Sequence, residues 1–339
     1  MRYNNKNVIL PELWQPAAPP LGEIWYTTTD GNISGNASSL PGMVSNTYEN
    51  GKGVIKFEGD SIAIGGGAFS SNLKTIKIPQ NVASFKYNSF SGADNLIEVY
   101  WNAAAATAQI FNYYYLFSGS PIERCYFGPE TRTIPQNIFN STESYAKTDE
   151  TLKTVVFMDG VTSIGRGTFN SCRRLTSIEI PNSVTSIGNE AFFGCTGLTS
   201  VTIGNSVTSV GYSAFQNCSS LEYVTIYSNN IEILPNYMFN DCRSLSNFTI
   251  PDGVLYLGLN LFENCTNLTS VEIPASVIEF NSSGRFTKSS LTFANCTNLS
   301  NIMYKGTISQ WNSISKLATD WHQNVPATVV HCTDGDAPI

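Results

Sequence analysis

Hydrophobic positions return with a period of about 23 residues along the middle of the chain. Two consecutive stretches show it most clearly, LTSIEIPNSVTSIGNEAFFGCTG at Leu175–Gly197 and LTSVTIGNSVTSVGYSAFQNCSS at Leu198–Ser220. Counted from the leucine, apolar residues occupy positions 1, 4, 6, 10, 13, 17 and 18, with glycine at 14 and cysteine at 21. A period of roughly 20 to 50 residues is typical of a solenoid, in which each unit buries its apolar side only against its neighbours.

Within one repeat the pattern predicts two short strands and a turn. Positions 4 and 6 alternate as in a half-buried strand, which Pro181 ends because proline cannot donate a ladder hydrogen bond. The following VTSIG is rich in β-branched residues and predicts a second extended segment. Gly188 is predicted to permit a turn that other residues resist, and Asn189–Phe192 to form a single helical turn that carries Phe192 into the core.

About ten copies of the repeat follow one another. Because successive strands run in the same direction, we expect one parallel sheet along a solenoid of about ten turns, roughly 50 Å long at the usual strand spacing. Each copy contributes one core phenylalanine: Phe69, Phe90, Phe117, Phe139, Phe169, Phe192, Phe215, Phe239, Phe262 and Phe293.

Three stretches interrupt the repeat. They lie around Ala103–Ala106 and Tyr113–Tyr115, at Ser141–Thr151, and near Asn281–Ser290. Insertions in solenoids fall on loops of one face, which is often the binding face, although tolerated surface loops are the plainer interpretation.

Both ends of the chain lack the repeat and read as caps. EIWYTTTDGN predicts a strand followed by a turn at Asp30-Gly31. Near the other end, Thr307 and Gln310 have capping-box spacing and precede a helical stripe, and Thr328–His331 predicts a last strand. The stripe consists of Ile308, Trp311, Ile314 and Leu317.

These boundaries divide the chain into three parts. We expect an N-terminal extension and cap at 1–52, a repeat solenoid at 53–305, and a C-terminal cap with a short helix and a final strand at 306–339.

Composition narrows the possible partners. Only 13% of residues are charged, the net charge is −7, and there is no basic run, which argues against nucleic acid and anionic membranes. No apolar stretch is long enough to span a bilayer, so we expect no membrane insertion. No signal peptide is recognisable at the first residues, which contain no apolar run of the required length.

Six of the eight cysteines share repeat position 21. Equivalent side chains on stacked strands lie about 4.8 Å apart, whereas disulfide Cβ atoms lie nearer 3.8 Å, so we predict a column of free thiols in the core. Asn217, Asn264 and Asn295 precede three of these cysteines, and we expect their side chains to bond the turn backbone rather than carry glycans.

The sequence contains no recognisable catalytic, phosphate-binding or metal-binding motif. The chain has only two histidines and no nucleophile elbow, and Gly65–Gly67 lacks the lysine of a phosphate-binding loop. Asp334–Asp336 is too short for a calcium loop and reads as a plain tail. We therefore expect no enzyme activity, no cofactor and no metal.

Positions 3 and 5 of the repeat point away from the core on the main strand. Glu98, Tyr100, Arg124 and Tyr126 occupy these positions in adjacent repeats, and Tyr223 occupies position 3 further along. Tyrosine and arginine are enriched at interface hot spots, so these five residues are candidate partner-binding residues. The alternative is that the aromatic rings pack across strands and merely cover the sheet.

The repeat L-x-x-I-x-I-P-x-x-V-x-x-I-G-x-x-A-F-x-x-C resembles the BspA-like leucine-rich repeat family, a class that includes a Treponema repeat protein. The resemblance covers about residues 53–305. It implies a curved, right-handed leucine-rich repeat solenoid and a secreted or cell-surface protein that adheres to host matrix proteins or other bacteria. It assigns no binding residues to this chain.

The leading hypothesis is a non-catalytic binding scaffold of the adhesin type, outside the cell or on its surface. One alternative is a carbohydrate-binding module that stacks exposed tyrosines on sugar rings. Another is an intracellular scaffold, which the free cysteines favour because thiols persist in a reducing compartment.

Overall fold

The structure, a computed structural model, describes residues 18–59, 61–86, 88–104, 116–117, 119–139, 150–280, 291–316 and 321–339. The predicted insertions at Tyr113–Tyr115 and Asn281–Ser290 lie outside these ranges, as do Leu317 and most of Ser141–Thr151. The described residues form these elements in chain order: β1 (Glu23–Thr28), a 3-10 turn (Ala37–Ser39), β2 (Met43–Glu49), β3 (Lys52–Phe57), β4 (Ile62–Ile64), β5 (Leu73–Ile78), β6 (Val82–Phe85), β7 (Glu98–Trp101), β8 (Arg124–Phe127), β9 (Thr133–Ile134), β10 (Thr154–Phe157), β11 (Ser163–Ile164), β12 (Ser177–Ile180), β13 (Ser186–Ile187), β14 (Ser200–Ile203), β15 (Ser209–Val210), β16 (Tyr223–Ile226), β17 (Ile233–Leu234), β18 (Asn247–Thr249), β19 (Tyr256–Leu257), β20 (Ser270–Ile273), β21 (Glu279–Phe280), β22 (Asn301–Tyr304), α1 (Ile308–Ser313), β23 (Ser315–Lys316), β24 (Val329–Cys332) and β25 (Gly335–Pro338).

Each repeat contributes one strand to each of two rows, and neighbouring repeats pair in parallel as predicted. The main strands form a seven-stranded sheet in the order β10-β8-β7-β5-β1-β3-β2, then the sheets β12-β14-β16 and β18-β20-β22-β24-β25. The short strands form the sheets β4-β6, β15-β13-β11-β9 and β17-β19-β21-β23. Equivalent positions pair across repeats, as Ile178 does with Val201 and Val201 with Val224.

The ten predicted phenylalanines form a continuous stack through the core. Phe192 is fully buried, and its ring lies 5.2 Å from that of Phe169 on one side and 5.2 Å from that of Phe215 on the other. All the remaining consecutive pairs, from Phe69 to Phe293, are also stacked, with ring centroids 4.7–5.8 Å apart. Each ring therefore depends on both adjacent repeats for its burial.

The predicted helical turn at Asn189–Phe192 is wrong. Glu190 has a left-handed φ of 56°, which ends any helical progression, and alternate amides donate to carbonyls of the following repeat instead of closing a helix. Three such bonds, each 2.8 Å, join Glu190 to Tyr212, Phe192 to Ala214, and Gly194 to Gln216. Bonding between repeats satisfies buried backbone groups that a single helical turn would leave unpaired.

Glycine at position 14 is required for a reason other than the predicted turn. Gly188 and Gly211 do not have positive φ, but an added Cβ would lie 2.6 Å from the Arg166 nitrogen or 2.3 Å from the Asn189 nitrogen, respectively. The glycines thus permit close approach of successive repeats at this corner.

The column of free thiols is confirmed. Cys172, like the five cysteines that follow it at position 21, is buried and forms no disulfide. Five of the six donate through Sγ to the carbonyl of the phenylalanine one repeat earlier, at 3.1–3.2 Å, from Cys195 to Phe169 up to Cys296 to Phe262. Each of these five thiols therefore gives a second hydrogen bond to a carbonyl that already accepts a backbone N–H, as well as filling core volume, a role that the sequence pattern did not reveal.

This arrangement predicts thiols that resist chemical modification. Burial raises the pKa of Cys218 and Cys265 well above the ordinary value, and that of Cys296 to about 12. In native protein near neutral pH, a disulfide-exchange reagent should react with at most the half-buried Cys332, and with all eight cysteines once the chain is denatured. Rapid reaction of several thiols in the native protein would contradict the buried column.

Asn264 and Asn295 do not bond the turn backbone as expected. Both have left-handed φ values, 64° and 60°, and their side chains bond one another along the stack. Asn295 Nδ2 donates to Asn264 Oδ1 at 3.0 Å, and Asn324 Nδ2 donates to Asn295 Oδ1 at 2.7 Å. Asparagine tolerates the left-handed region, so one residue type serves both the turn and the lateral contact.

Non-repeat strands extend the stack at both ends. β1, predicted from EIWYTTTDGN, pairs antiparallel with β3 and with β5 and so joins the seven-stranded sheet. Helix α1 carries the predicted capping box between Thr307 and Gln310. The interpretation of Asp334–Asp336 as a plain tail is wrong, because Gly335–Pro338 forms β25 and pairs antiparallel with β24.

Candidate binding surfaces

Four of the five candidate residues come together on the outer face of the seven-stranded sheet. Strands β7 and β8 are paired so that Tyr100 lies beside Tyr126, with ring centroids 4.7 Å apart and planes within 9°. Tyr100 Oη donates to Glu98 Oε1 at 2.8 Å, and Arg124 Nε lies 3.4 Å from the same oxygen. The sequence therefore placed these four residues correctly relative to one another.

Their predicted exposure is wrong. Glu98, Tyr100 and Tyr126 are only 7%, 2% and 4% exposed, and of the four only Arg124 keeps a partly accessible side chain. Strands lie about 4.8 Å apart, so stacked rings on adjacent strands cover each other's faces, while the carboxylate and guanidinium cover their edges. The two tyrosines thus pack across strands and cover the sheet, which was the alternative interpretation. The part of the cluster that a partner could reach is mainly the guanidinium of Arg124.

Burial makes the stability of the protein depend on pH in the alkaline range through this cluster. Burial, with the Glu98 carboxylate second, raises the pKa of Tyr126 to about 12 from an ordinary value of 10.0. A raised pKa in the folded state means that this phenol contributes stability fully below pH 10 and progressively less as the pH rises toward about 12. Tyr126→Phe should therefore flatten the loss of melting temperature between pH 10 and 12; an unchanged alkaline slope would contradict the assignment.

Trp25 extends this cluster, although the sequence pattern did not identify it as a candidate. It lies on β1, where Lys77 from β5 approaches its ring at 5.7 Å and Lys52 lies 3.1 Å from its centroid. The same Lys77 lies 5.4 Å from the Tyr100 ring. The alternation in EIWYTT placed Trp25 on the outer face, but only the antiparallel pairing of β1 with β5 sets it beside the repeats.

A family model for the BspA type leucine rich repeat region matches residues 52–175 and 162–292 with six copies. The chain belongs to this family. A comparison with curated proteins finds no match.

Among solved structures, this chain is similar to a leucine rich cell surface protein from Faecalibacterium prausnitzii. The two sequences are 22% identical, the match covers 88% of this chain and 98% of that one, and the TM-score is 0.40. A leucine-rich repeat protein from Bacteroides ovatus shows 21% identity over 79% and 70%, with a TM-score of 0.38. The T. pallidum leucine rich repeat protein shows 20% identity over 54% and 69%, with a TM-score of 0.37.

Tyr223, the fifth candidate partner-binding residue, lies in a different sheet from the other four. It is on β16 in the three-stranded sheet and is 63% exposed. Tyr212, Tyr227 and Tyr237 are also exposed, so the exposed tyrosines of the described residues concentrate between 212 and 237.

Both rows of strands are interrupted in this region, where one repeat carries an extra residue. The copy that begins at Leu221 has 24 residues because Tyr227–Asn230 replaces a shorter turn. Strand β15 does not pair with β17, and β16 does not pair with β18. An open cleft of about 650 Å³ lies at the first break, with Tyr212, Glu232 and Ile233 among its lining residues.

A second crevice, of about 260 Å³, lies between β10 and β12. Its lining includes Val156, Phe157, Asp159, Glu179 and Tyr227. In the described part of the chain, no group of three or more histidine, cysteine or acidic side chains could hold a metal ion. No helix within the described ranges has the length and apolar character needed to cross a bilayer.

Proposed function

We propose that the protein is a non-catalytic scaffold that binds another protein outside the bacterial cell or at its surface. The observation that carries this proposal is the set of exposed tyrosines between residues 212 and 237 on the stack of repeats. Tyrosine offers a large, stiff contact surface at a low entropic cost, and soluble proteins seldom leave several such rings exposed together without a partner.

In this proposal the predicted residues have different roles. Tyr223 presents an exposed ring and contacts the partner directly. Arg124 offers its guanidinium on the outer face of the seven-stranded sheet, where its ion pair with Glu98, beside the stacked Tyr100 and Tyr126, holds its position. The repeat array at 53–305 supplies the scaffold between two terminal caps.

Binding of purified proteins tests the proposal. The full chain is immobilised and exposed to a panel of purified host matrix proteins and bacterial surface proteins, with Tyr223→Ser as the matched variant. We expect at least one panel protein to bind, and the variant to bind it at least about fivefold more weakly, as for an aromatic contact residue. Absence of any protein binder would contradict the proposed function.

Location is tested separately. Native cells are fractionated and the protein is detected with an antibody. The proposal expects it in the surface or secreted fraction, and recovery only in the cytosol would favour an intracellular scaffold.

Carbohydrate binding is the second candidate function, and the crevice between β10 and β12 favours it. Tyr227 can stack on a sugar ring while Asp159, Glu179 and Asn182 accept or donate hydrogen bonds to hydroxyls. A glycan array probed with the chain and with Tyr227→Ser separates this candidate from protein binding.

A further inference from the structure

The net charge of the chain is concentrated in one stretch. Residues 181–280 contain eight carboxylates and a single basic residue, Arg243, which gives −7, equal to the net charge of the whole protein. The rest of the chain has 18 acidic and 18 basic residues and is neutral. Arg243 itself pairs with Asp241 at 3.0 Å, so it neutralises no other carboxylate of this stretch.

The outer face of the short strands changes character at the sheet break. In three consecutive repeats before it, positions 11 and 12 are hydroxyls: Thr162-Ser163, Thr185-Ser186 and Thr208-Ser209. After it they are Glu232-Ile233, Leu255-Tyr256 and Ile278-Glu279. A hydroxyl surface thus gives way to apolar residues flanked by two carboxylates.

These residues form one continuous patch, the acidic apolar patch, consisting of Tyr212, Glu232, Ile233, Tyr256, Ile278 and Glu279. Ile233 pairs with Tyr256 and Tyr256 with Glu279 across β17, β19 and β21, which places them side by side. Tyr212, Ile233 and Ile278 are 59%, 46% and 51% exposed, a large apolar content for an open surface.

The carboxylates of the patch differ from other carboxylates of this stretch in their ion pairing. Among the described residues, neither Glu232 nor Glu279 forms an ion pair, whereas Glu190 pairs with Arg166 and Glu272 with Lys305. Two strand spacings separate β17 from β21, so Glu232 and Glu279 lie about 10 Å apart with apolar residues between them.

We propose that the acidic apolar patch binds a basic, amphipathic segment of a partner protein, with two cations against Glu232 and Glu279 and aliphatic side chains on Ile233, Tyr256 and Ile278. Lysine or arginine at positions i and i+7 of a helix lie about 10.5 Å apart and match the carboxylate spacing. Anionic lipids and nucleic acids are repelled, and a second copy would oppose like charges. This inference rests on the proposed protein-binding function and names the partner's chemistry.

A synthetic helical peptide tests the patch in the full-length protein. The probe is a labelled, alanine-based peptide with lysine at i and i+7 and leucine at i+3 and i+4, and the control peptide has glutamate at both lysine positions. Fluorescence anisotropy at low salt should show binding of the lysine peptide only. Glu232→Gln with Glu279→Gln should weaken it at least about tenfold, and so should Ile233→Ser with Ile278→Ser.

The matched control removes two carboxylates from the same acidic stretch but outside the patch. Glu222→Gln with Asp252→Asn should change affinity by less than about twofold, and melting curves should show that all variants are folded. Equal weakening by both charge-removing pairs would mean diffuse electrostatic attraction and would overturn the proposal. Equal binding of the glutamate peptide, or no binding of the lysine peptide, would overturn it too.

The two proposals fail in different ways. If a panel protein binds and the patch variants retain full affinity for it, the protein-binding function stands and the patch is not its site. If the lysine peptide binds at the patch while no panel protein binds, the patch recognises the proposed chemistry and the proposed function fails.

Discussion

Replacing Phe192 by alanine is expected to lower the free energy of unfolding by about 3–5 kcal/mol. The ring is fully buried and stacks on Phe169 and Phe215, so its loss leaves a cavity that two repeats share. Because each repeat is stabilised through its neighbours, the damage should reach beyond the mutated repeat. Chemical denaturation followed by circular dichroism measures the change.

The control for this substitution is Thr225→Ala, at an exposed outer position of β16. It should change stability by less than about 0.5 kcal/mol. Similar losses for both variants would mean that the inner and outer faces have been assigned incorrectly.

Gly211→Ala is expected to cost about 2–3 kcal/mol, although it adds a single methyl group. The new Cβ would lie 2.3 Å from the Asn189 nitrogen and 2.5 Å from the Gly188 carbonyl carbon. These are backbone atoms of the preceding repeat, so relief of the clash requires the two repeats to separate. Thermal unfolding and denaturant titration both measure this loss.

Ser209→Ala, two residues away on the exposed face of β15, is the matched control and should be nearly neutral. If Gly211→Ala were also neutral, the repeats would not approach each other at this corner as closely as the structure has them.

The repeat period sufficed to predict the parallel strands, the stacked phenylalanines and the free cysteines. Each of these depends on equivalent positions lying above one another, which follows from the period alone. The capping box at Thr307 and Gln310 was predictable because it is a purely local signal.

Features that depend on contacts between repeats could not be predicted in this way. The left-handed Glu190 has no distinctive residue type, so Asn189–Phe192 read as a helical turn. Tyr100 and Tyr126 sit at outward positions and were expected to be exposed, yet two large rings on adjacent strands bury each other.

The acidic apolar patch was missed for a different reason. The net charge of −7 describes the whole chain and does not reveal that the excess of acidic over basic residues falls entirely within residues 181–280. A comparison of positions 11 and 12 from repeat to repeat contains the signal, because Thr-Ser gives way to Glu-Ile and Ile-Glu.

The most direct test of stacked repeats is a nuclear Overhauser measurement on deuterated protein with protonated phenylalanine rings. Rings of Phe192 and Phe215 lie 5.2 Å apart, and those of Phe215 and Phe239 lie 5.8 Å apart, so both pairs should give cross-peaks. Phe192 and Phe239 are separated by an intervening ring and should give none. Missing contacts between the consecutive rings, or a direct contact from Phe192 to Phe239, would contradict the stack on which the whole account depends.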